Sequence, residues 1–193
     1  MVTDFKSLDL TKKYSYADYL LWRFAERVEL IKGLIYKMSP APSERHQYIS
    51  GNLYVELRRC VKKGKCRIYA APFDVRLSAT TTKDSEVYTV VQPDICVVCD
   101  LTKLDERGCM GAPNLIIEIV SPGNTRRELE DKYALYEENG VQEYWIVQPS
   151  DETISVFDLV EEKYALRKIY SNDCDISINV LDGAIINLKD VFS

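Results

Sequence analysis

The sequence is poor in histidine, glycine and proline, and it contains no long uninterrupted apolar segment. Its single histidine disfavours mechanisms that need two imidazoles. Only 8 Gly and 7 Pro occur among 193 residues, of which 46% are hydrophobic, and this composition excludes a fibrous or disordered chain. No apolar run approaches the roughly 20 residues of a membrane helix. The sequence therefore predicts a globular protein without a membrane span.

The N-terminal segment also lacks the features of a signal peptide. Acidic residues are mixed with basic ones there, and no apolar core is followed by small residues. We therefore expect a cytoplasmic protein. The formal net charge of −5 disfavours a general DNA-binding protein, because nonspecific affinity depends on many Lys and Arg contacts to phosphate.

Six cysteines are present, but a chain of this length buries a core without disulfides and nothing indicates secretion, so free thiols are expected. Cys96 and Cys99 have the spacing of a zinc half-site. They lie in an extended apolar run, however, where residues three apart face opposite sides of the strand. With no second pair of cysteines at this spacing, the sequence predicts no structural zinc.

The hydrophobic pattern predicts one domain over residues 1–193, with a core at about 43–150 and a β-rich tail over 151–193. The core begins with a long helix that Ser43 caps and that ends before Gly64. The elements of the core follow the order α-β-β-β-α-β. The predicted elements are a helix at Tyr14–Phe24, a hairpin of Glu29–Lys32 and Leu34–Met38, the long helix, strands at Cys66–Ser78, Val87–Asp100 (broken at Pro93) and Asn114–Ser121, a helix from a Thr125–Glu128 capping box to Asn139–Gly140, a strand at Glu143–Gln148, and tail strands at Thr153–Leu159, Lys163–Tyr170, Ile176–Val180 and Ala184–Leu188.

Two acidic residues stand where strand structure would bury or interrupt them. Glu118 shares a strand face with Ile116 and Val120, and the opposite face is also apolar, so its burial requires a cation, a metal or hydrogen-bond donors. Asp94 follows Pro93, which breaks the ladder and lets the side chain point toward a cleft. The alternatives are a structural ion pair for Glu118 and an Asx turn for Asp94. Two carboxylates on adjacent strands suit Mg²⁺ or Mn²⁺.

Lys132 is a third candidate, on the helix that follows the Glu118 strand. Glu128 lies four residues earlier and shares its face, whereas Leu129, Tyr133 and Tyr136 form the packing face. A solvated surface pair is the alternative for Glu128 and Lys132. Glu128 also fits the N3 position of the capping box.

Several separated blocks resemble one known family, the Uma-two family of restriction-endonuclease-like proteins, which belongs with the PD-(D/E)XK nucleases. The matching strings are ELIKGLIYKMSPAPSERHQ, QPD, APNLIIEIVSPGNT and DKYALYEENGVQEYWIV. The resemblance implies an α/β (α+β) fold with a restriction-endonuclease-like core. In that fold a mixed central sheet is flanked by helices, with an N-terminal helix and hairpin and a β-rich C-terminal extension.

The resemblance also implies metal-dependent hydrolysis of phosphodiester bonds in DNA. Asp94 and Glu118 match the two acids that hold Mg²⁺ or Mn²⁺, with the Ile119 backbone carbonyl as a further ligand. The lysine position of the superfamily is Val120 here. The resemblance implies that Lys132 supplies this cation from the following helix, beside the attacking water. It further implies a homodimer, because nucleases that cut both strands commonly pair two sites.

Two more residues, Glu29 and His46, match positions of the family, and Ser121 and Glu128 are further accessory candidates. Glu29 is either a third carboxylate of the site or a surface charge at a strand edge. His46 lies near a helix N-terminus, where the dipole disfavours its charged form, and it is either a neutral hydrogen-bonding group or a packed polar residue. Ser121 either donates to a phosphate or forms the turn, and Glu128 stands where the family often has Asp.

Basic residues cluster at two places. Two arginines, Arg126 and Arg127, open a helix where the dipole disfavours cations, which favours a phosphate partner. The other cluster fits favourable charge at a helix C-terminus better than a DNA track. It comprises Arg58, Arg59, Lys62, Lys63, Lys65 and Arg67.

The alternative function is a catalytically silent nuclease-fold module that binds nucleic acid or a protein partner. Binding of a divalent ion at Asp94 and Glu118 distinguishes the two hypotheses, because a silent module has no need of the ion. A two-carboxylate glycosidase is a weaker hypothesis, since Lys132 would then have no role.

Overall fold

The computed structural model describes residues 1–38, 41–61, 65–78, 81–121 and 126–193. These residues form four α-helices, fourteen strands and short 3₁₀ turns. The helices are α1 (Tyr16–Tyr19), α2 (Glu44–Cys60), α3 (Arg126–Glu138) and α4 (Leu188–Phe192). The strands are β1 (Val28–Ile31), β2 (Leu34–Lys37), β3 (Arg67–Ala70), β4 (Val75–Arg76), β5 (Val90–Val91), β6 (Ile95–Val98), β7 (Leu104–Asp105), β8 (Gly108–Met110), β9 (Leu115–Ile119), β10 (Glu143–Gln148), β11 (Thr153–Val160), β12 (Lys163–Ser171), β13 (Asp175–Ile178) and β14 (Ala184–Asn187).

The main sheet has six strands in the order β12-β11-β10-β9-β6-β3. Strands β9 and β10 are parallel, and α3 connects them, as a parallel pair requires. The other neighbours are antiparallel. The elements α2, β3, β6, β9, α3 and β10 follow the predicted α-β-β-β-α-β order, which confirms the predicted α+β fold with a mixed sheet.

The two faces of the main sheet are covered by different elements. On one face, Leu115, Ile117 and Ile119 pack with the apolar stripe of α2 and with the last strands and helix of the tail. On the other face, Ile116 packs with residues of α3 and of the second sheet. The predicted alternation along this strand, with both faces apolar, is confirmed.

The second sheet has the order β2-β1-β5-β4-β8-β7 and takes residues from segments that the sequence predicted as single strands. Residues 66–78 divide between β3 in the main sheet and β4 in the second sheet, and residues 87–100 divide between β6 and β5. The predicted break at Pro93 is confirmed, because Pro93 and Asp94 lie between β5 and β6. A proline has no N–H to donate to a central ladder, so the chain changes sheets there.

The predicted helix over Tyr14–Phe24 is wrong in length, since α1 has only four residues. Ser15 caps it, but the chain beyond it pairs with the N-terminus instead of continuing the helix. The Val2 N–H donates to the Leu21 carbonyl at 3.0 Å, and the Arg23 N–H donates to the Val2 carbonyl at 2.7 Å. Tertiary pairing therefore overrides the local helical preference.

The predicted hairpin is confirmed as β1 and β2, which pair in antiparallel register around a two-residue turn. Lys32 and Gly33 both have positive φ, at 53° and 86°. This combination is typical of the type I′ turn that matches the twist of paired strands. The hairpin brings Glu29 in β1 to the same sheet as β5, through the pairing of Leu30 with Val90.

The ends of the two long helices agree largely with the sequence prediction. Ser43 caps α2, and α2 ends at Cys60; Gly64, at which the helix was expected to stop, lies outside the described residues. Helix α3 ends at Glu138, directly before the predicted stop at Asn139–Gly140. Thr125 of the predicted capping box also lies outside the described residues. None of the helices in the described ranges is both long and apolar enough to cross a membrane.

The C-terminal tail covers α2. The apolar side chains of Ile176, Val191 and Phe192 belong to the same buried cluster as α2 and the main sheet. Asn52 in α2 donates to the Val191 carbonyl at 3.0 Å. Strands β13 and β14 match the predicted tail strands in position, whereas the terminal helix α4 was not predicted.

The expectation that all cysteines are free is wrong for Cys66 and Cys99, which form a disulfide. Arg67 pairs with Val98 across β3 and β6, so Cys66 and Cys99 are the next opposed residues just beyond the paired ends. Their separation of 33 residues hides this proximity until the strand register is known. Cys96 packs on the opposite face of the sheet from Cys99, as the strand spacing predicts.

Candidate active site

A cleft of about 840 Å³, including solvent at its mouth, opens beside the C-terminal end of β9. The hairpin β1–β2, the start of α2, the β5–β6 link and α3 form its walls. Every residue that the sequence singled out as a site candidate lines this cleft. These residues are Glu29, His46, Asp94, Glu118, Ile119, Ser121, Glu128 and Lys132.

Asp94 is held by contacts to two distant elements. Its Oδ2 accepts a hydrogen bond from the Ile119 backbone N–H at 2.8 Å, and His46 Nε2 lies 3.2 Å from the same oxygen. Both partners are far from Asp94 in sequence, so these contacts are not those of an Asx turn. The carboxylate is therefore fixed between β9 and α2 at the wall of the cleft.

Glu118 is almost fully buried, with 8% of the residue exposed. Its Oε1 accepts from Lys132 Nζ at 2.8 Å and from the Tyr136 hydroxyl at 2.6 Å. Burial raises the pKa of Glu118 to about 7; the Lys132 ammonium opposes this, while the Asp94 and Glu29 carboxylates add to it. The partner that a buried carboxylate in this strand requires is therefore a lysine from the next helix.

Lys132 bridges two carboxylates, since Nζ also lies 3.3 Å from Glu29 Oε1. The Lys132 side chain is 17% exposed, so the alternative of a solvated surface pair is wrong. Burial acts to lower its pKa, but the charges of Glu118 and Glu29 outweigh burial and raise it. Lys132 is therefore a fixed ammonium at neutral pH.

Glu29 belongs to the cleft and is not a surface charge. It is 5% exposed, and its Oε1 accepts from the Gln92 backbone N–H at 2.8 Å in addition to Lys132. The hairpin therefore contributes a buried carboxylate to the cleft. This carboxylate also fixes the residue that precedes Pro93.

His46 is buried on the first turn of α2. Burial acts to lower its pKa, but the hydrogen bond and charge of Asp94 and the Ile119 carbonyl raise it overall. The contact with the Asp94 carboxylate therefore outweighs burial in shifting this pKa, and the neutral form of His46 stays a prediction.

Ser121 and Glu128 lie at the cleft wall, and both interact with neighbouring groups. Their functional roles stay predictions. Of the basic residues, Arg59 pairs with Glu56, and Lys65 pairs with Asp182 at 3.0 Å. Lys62, Lys63 and the side chains of Arg126 and Arg127 lie outside the described part of the chain.

Sequence reasoning missed two residues of this network. Tyr136 was assigned to the packing face of α3, and its ring does pack in the core, but its hydroxyl reaches Glu118. Its spacing of four residues from Lys132 was the available signal. The sequence indicates no role for Gln92 beyond its place directly before Pro93, but its side chain accepts from Arg27 at 2.9 Å and donates to Asp74 at 2.8 Å.

The donor set fits a hard divalent cation. Asp94 and Glu118 both line the cleft, and Ile119, whose N–H donates to Asp94, lines it as well. Across the described ranges, no three His, Cys, Asp or Glu side chains converge as a ready-made cage for a metal ion. Mg²⁺ does not require such a cage, because it is usually held by one or two carboxylates together with water and phosphate oxygens.

Comparisons with known proteins agree with this fold. The sequence profile of the Uma2 family, described as "Putative restriction endonuclease", matches residues 16–189. An uncharacterized protein of Synechocystis sp. is 28% identical over 148 residues, which cover 75% of this chain and 74% of the relative. The crystal structure of "a putative nuclease belonging to DUF820" from Anabaena variabilis superposes with a TM-score of 0.71 at 18% identity, covering 93% of this chain and 97% of that one.

Proposed function

Because the chain belongs to the Uma2 family of restriction-endonuclease-like proteins, we propose that it is a metal-dependent endonuclease that hydrolyses phosphodiester bonds of DNA. One observation carries the proposal. Lys132, from α3, reaches Glu118 in the cleft that Asp94 also lines. Two acids and one ammonium in a single cleft are the groups that a PD-(D/E)XK type of site requires, with the lysine moved to the following helix.

Asp94, Glu118 and the Ile119 carbonyl would hold Mg²⁺ or Mn²⁺. When bound, such an ion supplies a Lewis acid that activates water and offsets the negative charge of the phosphate. Asp94 uses Oδ2 for both of its contacts given above, and Glu118 uses Oε1. In each of the two carboxylates, these contacts are therefore made by one of the two oxygens.

Lys132 acts as a fixed cation. Its raised pKa keeps the ammonium protonated, so it serves to orient water and to stabilise charge on the phosphate, and not to accept a proton. Glu29 and Tyr136 hold the Lys132–Glu118 pair in place through Lys132 Nζ and Glu118 Oε1. Hydrolysis breaks one P–O bond and forms another to the oxygen of water, leaving a phosphomonoester and an alcohol.

Cleavage of supercoiled plasmid, branched DNA and single-stranded DNA in Mn²⁺ or Mg²⁺ tests the proposal, together with Mn²⁺ binding by calorimetry. We expect Asp94→Asn to lose both metal binding and cleavage. Lys132→Met should retain metal binding and lose at least 100-fold in cleavage rate, the scale seen when a stabilising group at a reacting centre is removed. Lys163→Met is the matched control. Lys163 is an exposed lysine in β12 that pairs with Glu137 of α3, the helix that carries Lys132.

The outcomes separate the two hypotheses. If the wild type neither binds Mn²⁺ nor cleaves any of the DNA forms, the nuclease proposal is wrong and the silent binding module takes its place. If Asp94→Asn is inactive while Lys132→Met cleaves as the wild type does, the metal site stands and the role of Lys132 falls. Sedimentation of the wild type with and without DNA tests the proposed homodimer.

A further inference from the structure

A second groove lies next to the cleft and shares two of its wall residues. Arg27 and Gln92 line both cavities. The groove encloses about 840 Å³, again with solvent at its mouth, and the segment between α1 and β1 forms most of its wall. The cleft and the groove are therefore two parts of one continuous surface.

Aromatic rings line this groove. Tyr19 and Phe24 are half-buried, whereas Trp22 is 8% exposed. The centre of the Trp22 ring lies 5.5 Å from that of Tyr19 and 5.6 Å from that of Phe24, so the three rings are neighbours. Trp22 also contacts Tyr14, Tyr19 also stacks on Tyr16, and Phe24 meets the Phe5 ring edge-on. Tyr19 and Phe24 are nevertheless only half-buried, and both line the groove.

The polar groups of the groove are mainly cationic. Arg23 and Arg27 are exposed, and one acidic residue, Glu26, accompanies them at the wall. Arg27 donates to the Gln92 side chain at 2.9 Å, and Gln92 donates in turn to the Tyr19 hydroxyl at 3.4 Å. In a chain with a net charge of −5, this pairing of aromatic rings with two arginines is a local departure from the overall charge.

Aromatic rings beside arginines bind nucleic acid in one particular state. A base exposes its faces for stacking only when it is unpaired, and stacking on aromatic side chains accepts any base. A duplex, by contrast, presents mainly its phosphates, and the wall of the groove offers two arginines, Arg23 and Arg27, to contact them. The groove therefore complements an unpaired base with its phosphate, and not a duplex backbone.

We propose that this groove holds an unpaired base of the DNA strand whose phosphate enters the cleft, so that the substrate class is single-stranded DNA or a single-stranded segment of a larger DNA. This inference rests on the proposed function for the identity of the neighbouring cleft. It assigns Phe24 and Tyr19 to stacking. Arg27 and Gln92, which line both cavities, lie between the stacked base and the scissile phosphate.

Binding of fluorescein-labelled oligonucleotides by anisotropy in EDTA tests the inference without cleavage. We expect single-stranded DNA to bind at least tenfold more tightly than a duplex of the same sequence. A series of oligonucleotides that are too short to bind in more than one register, with one abasic position each, should show a loss of affinity of roughly 5- to 100-fold at one or two adjacent positions. The abasic series needs no protein variant, so the test does not depend on a variant that folds.

Phe24→Ala should lower the affinity for the intact strand by a similar factor and should abolish the effect of the abasic position. Phe24→Leu is the milder variant in case the larger truncation disturbs folding. Tyr88→Ala is the matched control, because Tyr88 is an aromatic residue that is 46% exposed and lines neither cavity. We expect the control to bind as the wild type does.

Cleavage in Mn²⁺ is measured separately, so that the two proposals fail independently. Binding with a localised abasic effect but without cleavage would support the groove and overturn the nuclease proposal. Cleavage of duplex and single strand at equal rates, with no position sensitive to base removal, would overturn the groove and leave the nuclease intact. Equal loss of affinity in Phe24→Ala and Tyr88→Ala would also overturn the assignment of Phe24.

Discussion

Glu118 and Glu143 are buried glutamates on the neighbouring parallel strands β9 and β10, but their surroundings differ. Glu143 is fully buried and accepts from the Trp145 indole N–H at 2.9 Å and from the Val180 N–H at 3.2 Å, with Arg167 at 3.3 Å. These partners tie the main sheet to the tail. Glu118 has a lysine and a tyrosine hydroxyl as partners and lies at the wall of the cleft.

The difference shows that a buried carboxylate is not by itself a sign of function. Both carboxyl groups have a raised pKa, and burial is the largest cause for each. Glu143 lies on the face that the tail covers, where its partners belong to packed elements. Glu118 is near two further acids, and its partners leave it in contact with an open cavity. Access and neighbouring charge, more than burial, distinguish the two residues.

Replacing each glutamate by glutamine gives the largest contrast. We expect Glu118→Gln to lower the Mn²⁺-dependent cleavage rate by at least 100-fold, because a neutral amide is a poor ligand for a hard cation. Glu143→Gln should change the rate by less than about threefold, since it lies outside the cleft. Single-turnover cleavage of a labelled substrate measures both. Similar losses of cleavage rate in the two variants would show that access to the cleft does not distinguish Glu118 from Glu143.

Removing the disulfide tests the stability of the sheet face that the C-terminal tail covers. The bond closes a loop of 33 residues, and Cys66 and Cys99 line a cavity with Val180 that is separate from the cleft. We expect the double variant Cys66→Ser, Cys99→Ser to lower the free energy of unfolding by about 3 to 4 kcal/mol in the chain-entropy estimate. Urea denaturation measures this, with Cys174→Ser as the control thiol. A change below about 1 kcal/mol would contradict a structural role for the bond.

Removing Arg167, the cation that contacts Glu143, should lower the free energy of unfolding and leave the cleavage rate unchanged. Arg167 contacts Glu143, both oxygens of Asp158 and the Ser177 carbonyl. We expect Arg167→Ala to lower the free energy of unfolding by about 3 kcal/mol, because an uncompensated buried carboxylate remains. Lys168→Ala, at the exposed neighbouring position, should cost less than about 1 kcal/mol. Equal costs at the two positions would argue against the network.

The smallest effect concerns pH. Burial raises the pKa of Glu143 above its ordinary value of 4.5, so the folded chain binds this proton more tightly than the unfolded chain. Its contribution to stability is therefore full below pH 4.5 and is lost as the pH rises through the folded-state value. Urea denaturation between pH 4 and pH 8 should show the wild type losing stability relative to Glu143→Gln as the pH rises. A difference that is independent of pH would contradict the raised pKa.

The sequence was informative where the physical cause is local. Alternation along β9 placed Glu118 on a buried strand, and Pro93 placed Asp94 at a break, because a missing N–H acts on its own ladder. Features that depend on contacts between residues distant in the sequence could not be predicted in this way. The disulfide depends on the register of β3 and β6, and the short α1 results from pairing with Val2.

Residue type also limited the prediction of the site. Tyr136 combines an apolar ring with a polar hydroxyl, so a pattern that sorts residues into packing and polar faces assigns it to only one of them. Lys132 looked like half of a surface pair because Glu128 precedes it by one helical turn. Only the fold shows that two buried carboxylates compete for its ammonium.

The short link between β5 and β6 sets a lower limit on the size of a working fragment. A chain shortened to residues 43–150 would keep Asp94, Glu118 and Lys132 in its sequence. It would lose β1, whose Leu30 pairs with β5, and Glu29, which accepts the Gln92 N–H just ahead of Asp94. Gene fusions and library designs based on this scaffold therefore need the N-terminal hairpin as much as the lysine-bearing helix.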